Sequence, residues 1–186
     1  MRIIAGKNKS RRLETLEGMN TRPMTDRMKE SVFNCIGPYF DNDNVLDLFG
    51  GSGALSLEAL SRGAKHAWIC EKSFDALKII KANVANLKED RNVTIYNTDY
   101  QVALKRIIQE GVKFDIIFLD PPYRMNIVEE LVNYIIDNNM INDKGVIVCQ
   151  YVKGNVTPEE KEYLEIIKNY NYGTSEVTIY QFIEKE

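Results

Sequence analysis

The chain is short of the residue types on which several large protein classes depend. Its three cysteines, Cys35, Cys70 and Cys149, are odd in number, widely spaced and set in apolar contexts. They read as reduced core thiols and exclude a disulfide framework or a cysteine-based zinc site. The one histidine, His66, falls in an expected helix-to-strand loop, and no catalytic role is expected of it. No uninterrupted apolar run approaches the ~18 residues that would span a bilayer. The opening residues, Met1 to Gly6, lack the apolar core of a signal peptide. Repeats, low-complexity segments and linkers are also missing. A cytoplasmic protein without membrane or metal is therefore expected. At 186 residues and 44% hydrophobic content, it has chain enough for one well-buried domain plus an N-terminal extension.

An overall positive charge is missing too: the net charge is −3. Its distribution is uneven, however. Residues 1–30 hold eight Lys and Arg against four acids, a local +4, which leaves −7 on the remaining 156 residues. Five of those cations, Arg2, Lys7, Lys9, Arg11 and Arg12, fall in the first twelve residues with no acid among them. Arg2–Gly6 reads as a short strand, Lys7–Arg12 as a basic turn and Leu13–Leu16 as a return strand. A basic hairpin on an acidic body is suited to clamp a phosphate backbone on one face. An ordinary solvated edge is the plainer alternative.

Further along, Thr25 or Asp26 caps a predicted helix through about Ile36, with Met28, Val32, Phe33 and Ile36 at helical apolar spacing. Gly37-Pro38 ends it. From residue 44 strands and helices alternate. Val45–Phe49 reads as a strand, Ala54–Arg62 as a helix and Ala67–Cys70 as a second strand. Ser73 caps a helix whose inward stripe is Phe74, Leu77, Ile80, Val84 and Leu87. Val93–Tyr96, then a helix over Tyr100–Gln109 and a strand over Asp115–Leu119 follow. Asn126 opens another helix, with Ile127, Leu131, Tyr134 and Ile135 inward. Gly145–Cys149 is a strand, Glu159–Leu164 a short helix or turn, and Tyr163–Tyr170 and Glu176–Ile183 a closing pair. Such alternation predicts a mainly parallel sheet covered by helices on both faces, with a terminal antiparallel pair.

Two motifs sit at strand ends. Asp120-Pro121-Pro122-Tyr123 stops an apolar strand abruptly. Its prolines remove backbone donors and hold the chain stiff, presenting a carboxylate, proline-adjacent carbonyls and a ring at the edge where open α/β sheets bind ligands. That set fits a planar ring with an exocyclic amine: Asp120 and a carbonyl accept the two N–H bonds, and Tyr123 stacks. A proline turn with Tyr123 covering the core is the bland reading. Asp47-Leu48-Phe49-Gly50-Gly51-Ser52-Gly53 links a strand to a helix, and Glu71, twenty residues after Gly51, is placed to accept from two ribose hydroxyls. A third dinucleotide glycine would fall on Ser56, and Asp47 suits an amine better than a pyrophosphate. S-adenosylmethionine, with a sulfonium, an amino group and a ribose but no phosphate, meets these conditions.

With these motifs in place the chain resembles the RsmD-type methyltransferases, which modify the N2 of a guanine in 16S ribosomal RNA. The resemblance runs over nearly the whole length. It rests on Arg2–Gly6, Arg22-Pro23, Thr25-Asp26-Arg27, Asp47–Phe49, Gly51–Leu55, Leu57–Gly63, Asp120–Tyr123, Tyr172-Gly173 and Val177–Tyr180. Gly50, where alanine is expected, and Ser56, where glycine is commoner, depart from it. The resemblance implies a Rossmann-like, seven-stranded methyltransferase fold over residues 41–186 and an RNA-facing hairpin and helix over residues 1–40. It implies that Asp47, Phe49, Gly51 and Gly53 hold the cofactor, Glu71 its ribose and Asp99 its adenine amine, unless Asp99 is only a helix cap. Arg22, Pro23 and Thr25 would lie near the cofactor or target base. Arg27 would be a structural or phosphate contact or equally a substrate one, and Tyr123 with Arg124 substrate contacts. The expected partner is 16S rRNA or the small ribosomal subunit, met by a monomer. A DNA adenine-N6 methyltransferase, a non-catalytic RNA-binding assembly factor and a small-molecule methyltransferase are the alternatives.

Overall fold

The computed structural model describes residues 1–17 and 24–184. Arg22 and Pro23 lie outside the described residues. Seven strands form one sheet: β1 (Asn44–Asp47), β2 (His66–Cys70), β3 (Val93–Tyr96), β4 (Phe114–Leu119), β5 (Ile141–Val152), β6 (Leu164–Tyr172) and β7 (Ser175–Phe182). Their order is β3-β2-β1-β4-β5-β7-β6, parallel through β5, with β7 antiparallel to both β5 and β6. The chain winds outward from β1 to β3 and then crosses back to β4, so the direction of winding reverses between β1 and β4. At such a switch point the connections leave to opposite faces and a crevice opens at the strands' carboxyl ends.

Side-chain alternation divides the core. Val45, Ile116 and Phe118 point to one face and Leu46, Ile117 and Leu119 to the other, as a period of two requires. The first face is covered by α1 (Asp26–Ile36), α2 (Ala54–Ser61) and α3 (Phe74–Asn86), the second by α4 (Tyr100–Glu110) and α5 (Val128–Asp137). Because both faces are covered, the central strands are continuously apolar. Among the described residues no helix is long and apolar enough to cross a membrane.

Several expectations need correction. Residues 2–16 contain one antiparallel bridge, Arg2 with Arg12, rather than two strands. Backbone bonds from Ile3 N to Arg11 O and from Ser10 N to Ile3 O close the turn. Part of the segment is tied to α2: Glu58 accepts from the N–H of Ile4 (2.9 Å) and Ala5 (3.1 Å), and Ser61 Oγ donates to Ala5 O at 2.6 Å. Phe74 is 69% exposed rather than inward, because it occupies the first position of α3, ahead of the turns that lie on the sheet. His66 is in β2, its ring bonded to Thr94 Oγ1 at 2.8 Å and packed on Trp68. Strand β5 starts at Ile141, not Gly145. Asn142-Asp143-Lys144-Gly145 has turn composition, but the chain passes through it as a bulge, with the register jumping from Phe114–Ile141 to Ile116–Val146. Finally, α5 starts at Val128, and Cys35 is half-buried while Cys70 and Cys149 are buried.

Candidate active site

In the sheet register Asp47 pairs with Phe118, so Asp120 lies two residues beyond the partner of Asp47 on the neighbouring strand. Both carboxylates line one cavity of about 300 Å³ at the switch point. The turn after β1 forms its floor. Gly51 (φ 58°) and Gly53 (φ 78°) occupy the left-handed region that disfavours a side chain, and Gly53 N–H donates to Gly50 O at 2.8 Å. A Cβ on Gly51 would meet nothing within 4 Å, so the bare main chain faces open space. Gly50 differs. The methyl of an alanine there would lie 2.4 Å from Ile69 Cγ2, which explains why this chain departs from alanine.

Two acids shape the turn. Glu71, just past β2, accepts from Gly51 N–H (3.0 Å) with one oxygen and from Ser73 N–H (2.8 Å) with the other. Each carboxylate oxygen keeps a second lone-pair direction for a ligand hydroxyl. Asp47 is buried. Its Oδ2 accepts from Ser56 Oγ at 3.1 Å, and its Oδ1 has no partner among the described residues. Ser56, the second departure from the family pattern, thus supports the carboxylate it lies beneath. Burial pushes Asp47 up to about 7, assisted by the charge of Glu71 and opposed by the Ser56 bond. Asp120 is likewise pushed up to about 7, by burial first and by Asp47 second. The charge of Asp47 thus bears on the titration of Asp120. A buried carboxylate oxygen without a donor costs free energy unless something supplies one, and a cationic amine does.

Phe49 and Tyr100, ring centroids 5.4 Å apart, add an aromatic wall beside Asp99. Asp99 caps α4, accepting from Gln101 N–H at 2.9 Å, and also lines the cavity beside Lys72, 3.7 Å away. The cap and the ligand-facing position coexist. Asp47, Phe49, Gly51, Glu71, Asp99, Asp120, Pro122 and Arg124 all line this one space. Gly53, Thr25, Pro121 and Tyr123 do not. Gly53 serves the turn, Thr25 caps α1 by accepting from Met28 N–H, and Pro121 is buried. An amine, a ribose and an adenine each find their acceptors or aromatic surface here, so the residues present fit S-adenosylmethionine.

The aromatic of the Asp-Pro-Pro-Tyr loop is held from behind. Tyr123 OH lies 2.9 Å from Ser175 Oγ at the start of β7, and Gln150 Nε2 of β5 donates to it at 3.5 Å. Nothing near Tyr123 in the sequence signals Ser175, 52 residues away. Removing the hydroxyl leaves a buried partner unsatisfied, at a cost of about 1–3 kcal/mol. Tyr123→Phe is expected to lower kcat by up to about tenfold with cofactor affinity unchanged. Ser175→Ala should reproduce the loss and the double variant should add nothing, which a thermodynamic cycle on kcat checks.

The basic residues of the first segment are not uniformly free. Arg2 pairs with Asp26 at 3.0 Å, Lys7 with buried Glu89 at 2.6 Å, and Arg11 donates to Asn86 O at 2.7 Å. Lys9, Arg12 and Arg27 are exposed and have no ion pair among the described residues.

Comparison with known proteins agrees with this geometry. The family named Conserved hypothetical protein 95 matches residues 1–181. The Bacillus subtilis protein YlbH is 39% identical over 181 residues, 97% of this chain and 98% of its own. The Ribosomal RNA small subunit methyltransferase D of Escherichia coli K12 is 36% identical over 150 residues, 81% of this chain and 74% of its own. The solved structure of the Escherichia coli protein yhhF superposes with a TM-score of 0.85 at 32% identity, covering 100% of this chain and 99% of that one. With a crevice that fits a methyl donor and this match over almost its entire length, the chain belongs to the Conserved hypothetical protein 95 family, the RsmD family of ribosomal RNA methyltransferases.

Proposed function

We propose that this chain is an S-adenosylmethionine-dependent rRNA methyltransferase acting on the exocyclic N2 amine of a guanine in 16S rRNA. The observation behind this reading is the placement of Asp47 and Asp120 at the ends of adjacent strands, on one cavity. Asp47 holds the amino group of the donor, Glu71 the ribose hydroxyls and Asp99 the adenine amine, against Phe49 and Tyr100. When bound, S-adenosylmethionine supplies a methyl group on a positively charged sulfur.

The guanine amine is a weak nucleophile because its lone pair is delocalised into the ring. Two acceptors at the loop counter this. Pro122 O already accepts from Met125 N–H at 2.8 Å and closes the turn, whereas Pro121 O has no donor among the described residues. The two N–H bonds go to Asp120 and a carbonyl of the proline turn, leaving the nitrogen lone pair directed at the donor side of the crevice. Acceptors fixed before reaction stabilise the positive charge that develops on nitrogen. Asp120 then takes the released proton, for which an affinity near neutrality is suited. Tyr123 offers its ring to the target base and Arg124 its guanidinium to the adjoining phosphate. Residues 1–40 are the RNA-facing extension, with the exposed Lys9, Arg12 and Arg27 toward the backbone. The protein acts in the cytoplasm as a monomer, on 16S rRNA or the small ribosomal subunit.

Incubation with tritium-labelled donor and 16S rRNA, small subunits or duplex DNA tests the reading. Label in N2-methylguanine of the rRNA is expected. Label in DNA adenine, or in neither nucleic acid, would overturn it.

A pH dependence follows from the raised acids. A carboxyl whose folded pKa lies above its unfolded value lends stability that is complete below the unfolded value, near 4, and lost as pH rises through about 7. A cation beside Asp47 favours the charged form and reverses this. Calorimetry between pH 5.5 and 7 should therefore show protons released on donor binding and affinity rising with pH, by up to about tenfold per unit. Asp47→Asn should flatten the dependence and weaken binding by roughly tenfold or more.

A further inference from the structure

We propose that the exposed face of α3, formed by Phe74, Lys78 and Lys81, is an RNA-docking surface that joins the basic N-terminal segment to the mouth of the cavity, with Phe74 stacking on an unpaired base. This rests on the rRNA reading above and extends it to the route the substrate follows.

The face is continuous by helical spacing: positions 74, 78, 81 and 85 are three or four residues apart, and all four residues are exposed. At one end, Ser73, the residue before Phe74, lines the cavity. At the other, Asn86 accepts from Arg11 through its carbonyl at 2.7 Å and donates to Arg12 O at 3.5 Å, so the basic segment is seated on the helix end. The intervening helix spans about 20 Å at 1.5 Å per residue.

Its chemistry differs from the rest of the body. Lys72, Lys78, Lys81 and Lys88 stand against a single exposed acid, Asp75, between residues 72 and 88, while residues 31–186 as a whole carry −7. Among the described residues Lys78, Lys81 and Lys88 have no carboxylate within ion-pair distance, whereas Lys7, Lys29 and Lys72 each have one. Unpaired cations along a groove-free helix face are matched by phosphates, which they bind by releasing counterions. Phe74 is the most exposed large hydrophobic among the described residues, at 69%, and Lys78 Nζ sits 4.5 Å from its ring centroid. An aromatic ring set among lysines beside a base-modifying cavity is the arrangement by which sequence-tolerant RNA contacts are made, the ring taking a base and the ammonium groups the backbone. An acidic protein partner would use the lysines and have no call on the ring.

The test is equilibrium binding of full-length protein to a 16S rRNA transcript over a range of salt concentrations, alongside the labelled-donor assay. Phe74→Ala is expected to weaken binding about 5- to 100-fold, and Phe74→Trp to restore it. Lys78→Ala/Lys81→Ala should weaken binding and lower the slope of log affinity against log salt by about 1.4, the share of two single-strand phosphate contacts. Donor affinity, read by equilibrium dialysis, should stay unchanged in all three. Variants that bind the transcript with wild-type affinity and salt slope would overturn the inference and leave the rRNA reading standing if wild type labels rRNA. Wild type that binds the transcript without labelling it, while the variants bind more weakly, would support the surface and sink the proposed activity. Wild type that neither binds nor labels would overturn both.

Discussion

Asp120→Ala is expected to lower kcat by roughly 10²–10³-fold, the cost of losing one pre-aimed group from a charge-developing transition state, while donor affinity changes no more than a few-fold. The separation is expected because Asp120 meets the amine, whereas the donor's amino group, ribose and adenine are assigned to Asp47, Glu71 and Asp99. The charge of Asp47 helps to raise the proton affinity of Asp120, so Asp47→Asn should let Asp120 ionise at lower pH. At saturating donor, the acid limb of the methyl-transfer rate against pH should then shift downward in that variant. Asp120→Asn keeps one carbonyl acceptor but cannot take the proton, and its kcat should fall between those of the alanine variant and wild type. Single-turnover transfer of labelled methyl to 16S rRNA, with binding measured separately, checks all three. A near-normal rate in the alanine variant would remove Asp120 from the chemistry.

Glu58→Ala is expected to have the largest effect on stability. Glu58 is fully buried and lies at the centre of four interactions. It accepts from Ile4 and Ala5 N–H, receives Arg62 Nε at 2.8 Å, and pairs with Lys29 Nζ at 3.3 Å. Lys29 in turn donates to Arg2 O at 2.6 Å. Removing the carboxylate leaves two cations, 1% and 2% exposed, without their counter-charge. Breaking one side of a buried ion pair costs about 3–5 kcal/mol, and at 2–4 °C per kcal/mol for a domain of this length Tm should fall by roughly 6–20 °C. Burial already holds the Lys29 pKa below its usual value, against the pull of Glu58. Without Glu58 it falls further, and the unfolded chain then binds the extra proton over a wider range. Part of the lost stability should therefore return as pH rises toward 10. Thermal unfolding at pH 7 and 9.5 reads both effects. A Tm change below about 2 °C would show the network to be dispensable.

The strand ends were legible because their punctuation is local. Asp47 and the glycines after it, Glu71 closing β2, and Asp120 with two prolines each sit where an apolar run stops, and the α/β alternation brings such ends to one edge. Ser73 and Thr25 were readable as caps for the same reason. What failed was information that crosses the chain. Phe74 has the spacing of a core residue, and only its position at the first turn of α3 puts it in solvent. Four turn-forming residues at 142–145 conceal the continuation of β5, because a bulge uses the same residue types as a loop. Ser56 stands where glycine is commoner, and only the fold brings its hydroxyl against Asp47, nine residues away. The charge pattern of the first twelve residues suits a basic clamp or a solvated edge, yet Glu58, Asn86 and Glu89, far along the chain, engage part of their backbone and two of their cations.

The position of β7 sets the order in which the site can be completed. It follows β6 in the chain but lies between β5 and β6, and it contributes Ser175 to Tyr123. A nascent polypeptide emerging from the ribosome can pair β1 to β5 early, but β6 joins the sheet only once β7 inserts. The aromatic corner made at residue 123 therefore waits for about fifty more residues of synthesis before it is locked. A ribosome stalled before β7 is made therefore releases fragments whose base-facing corner lacks its anchor.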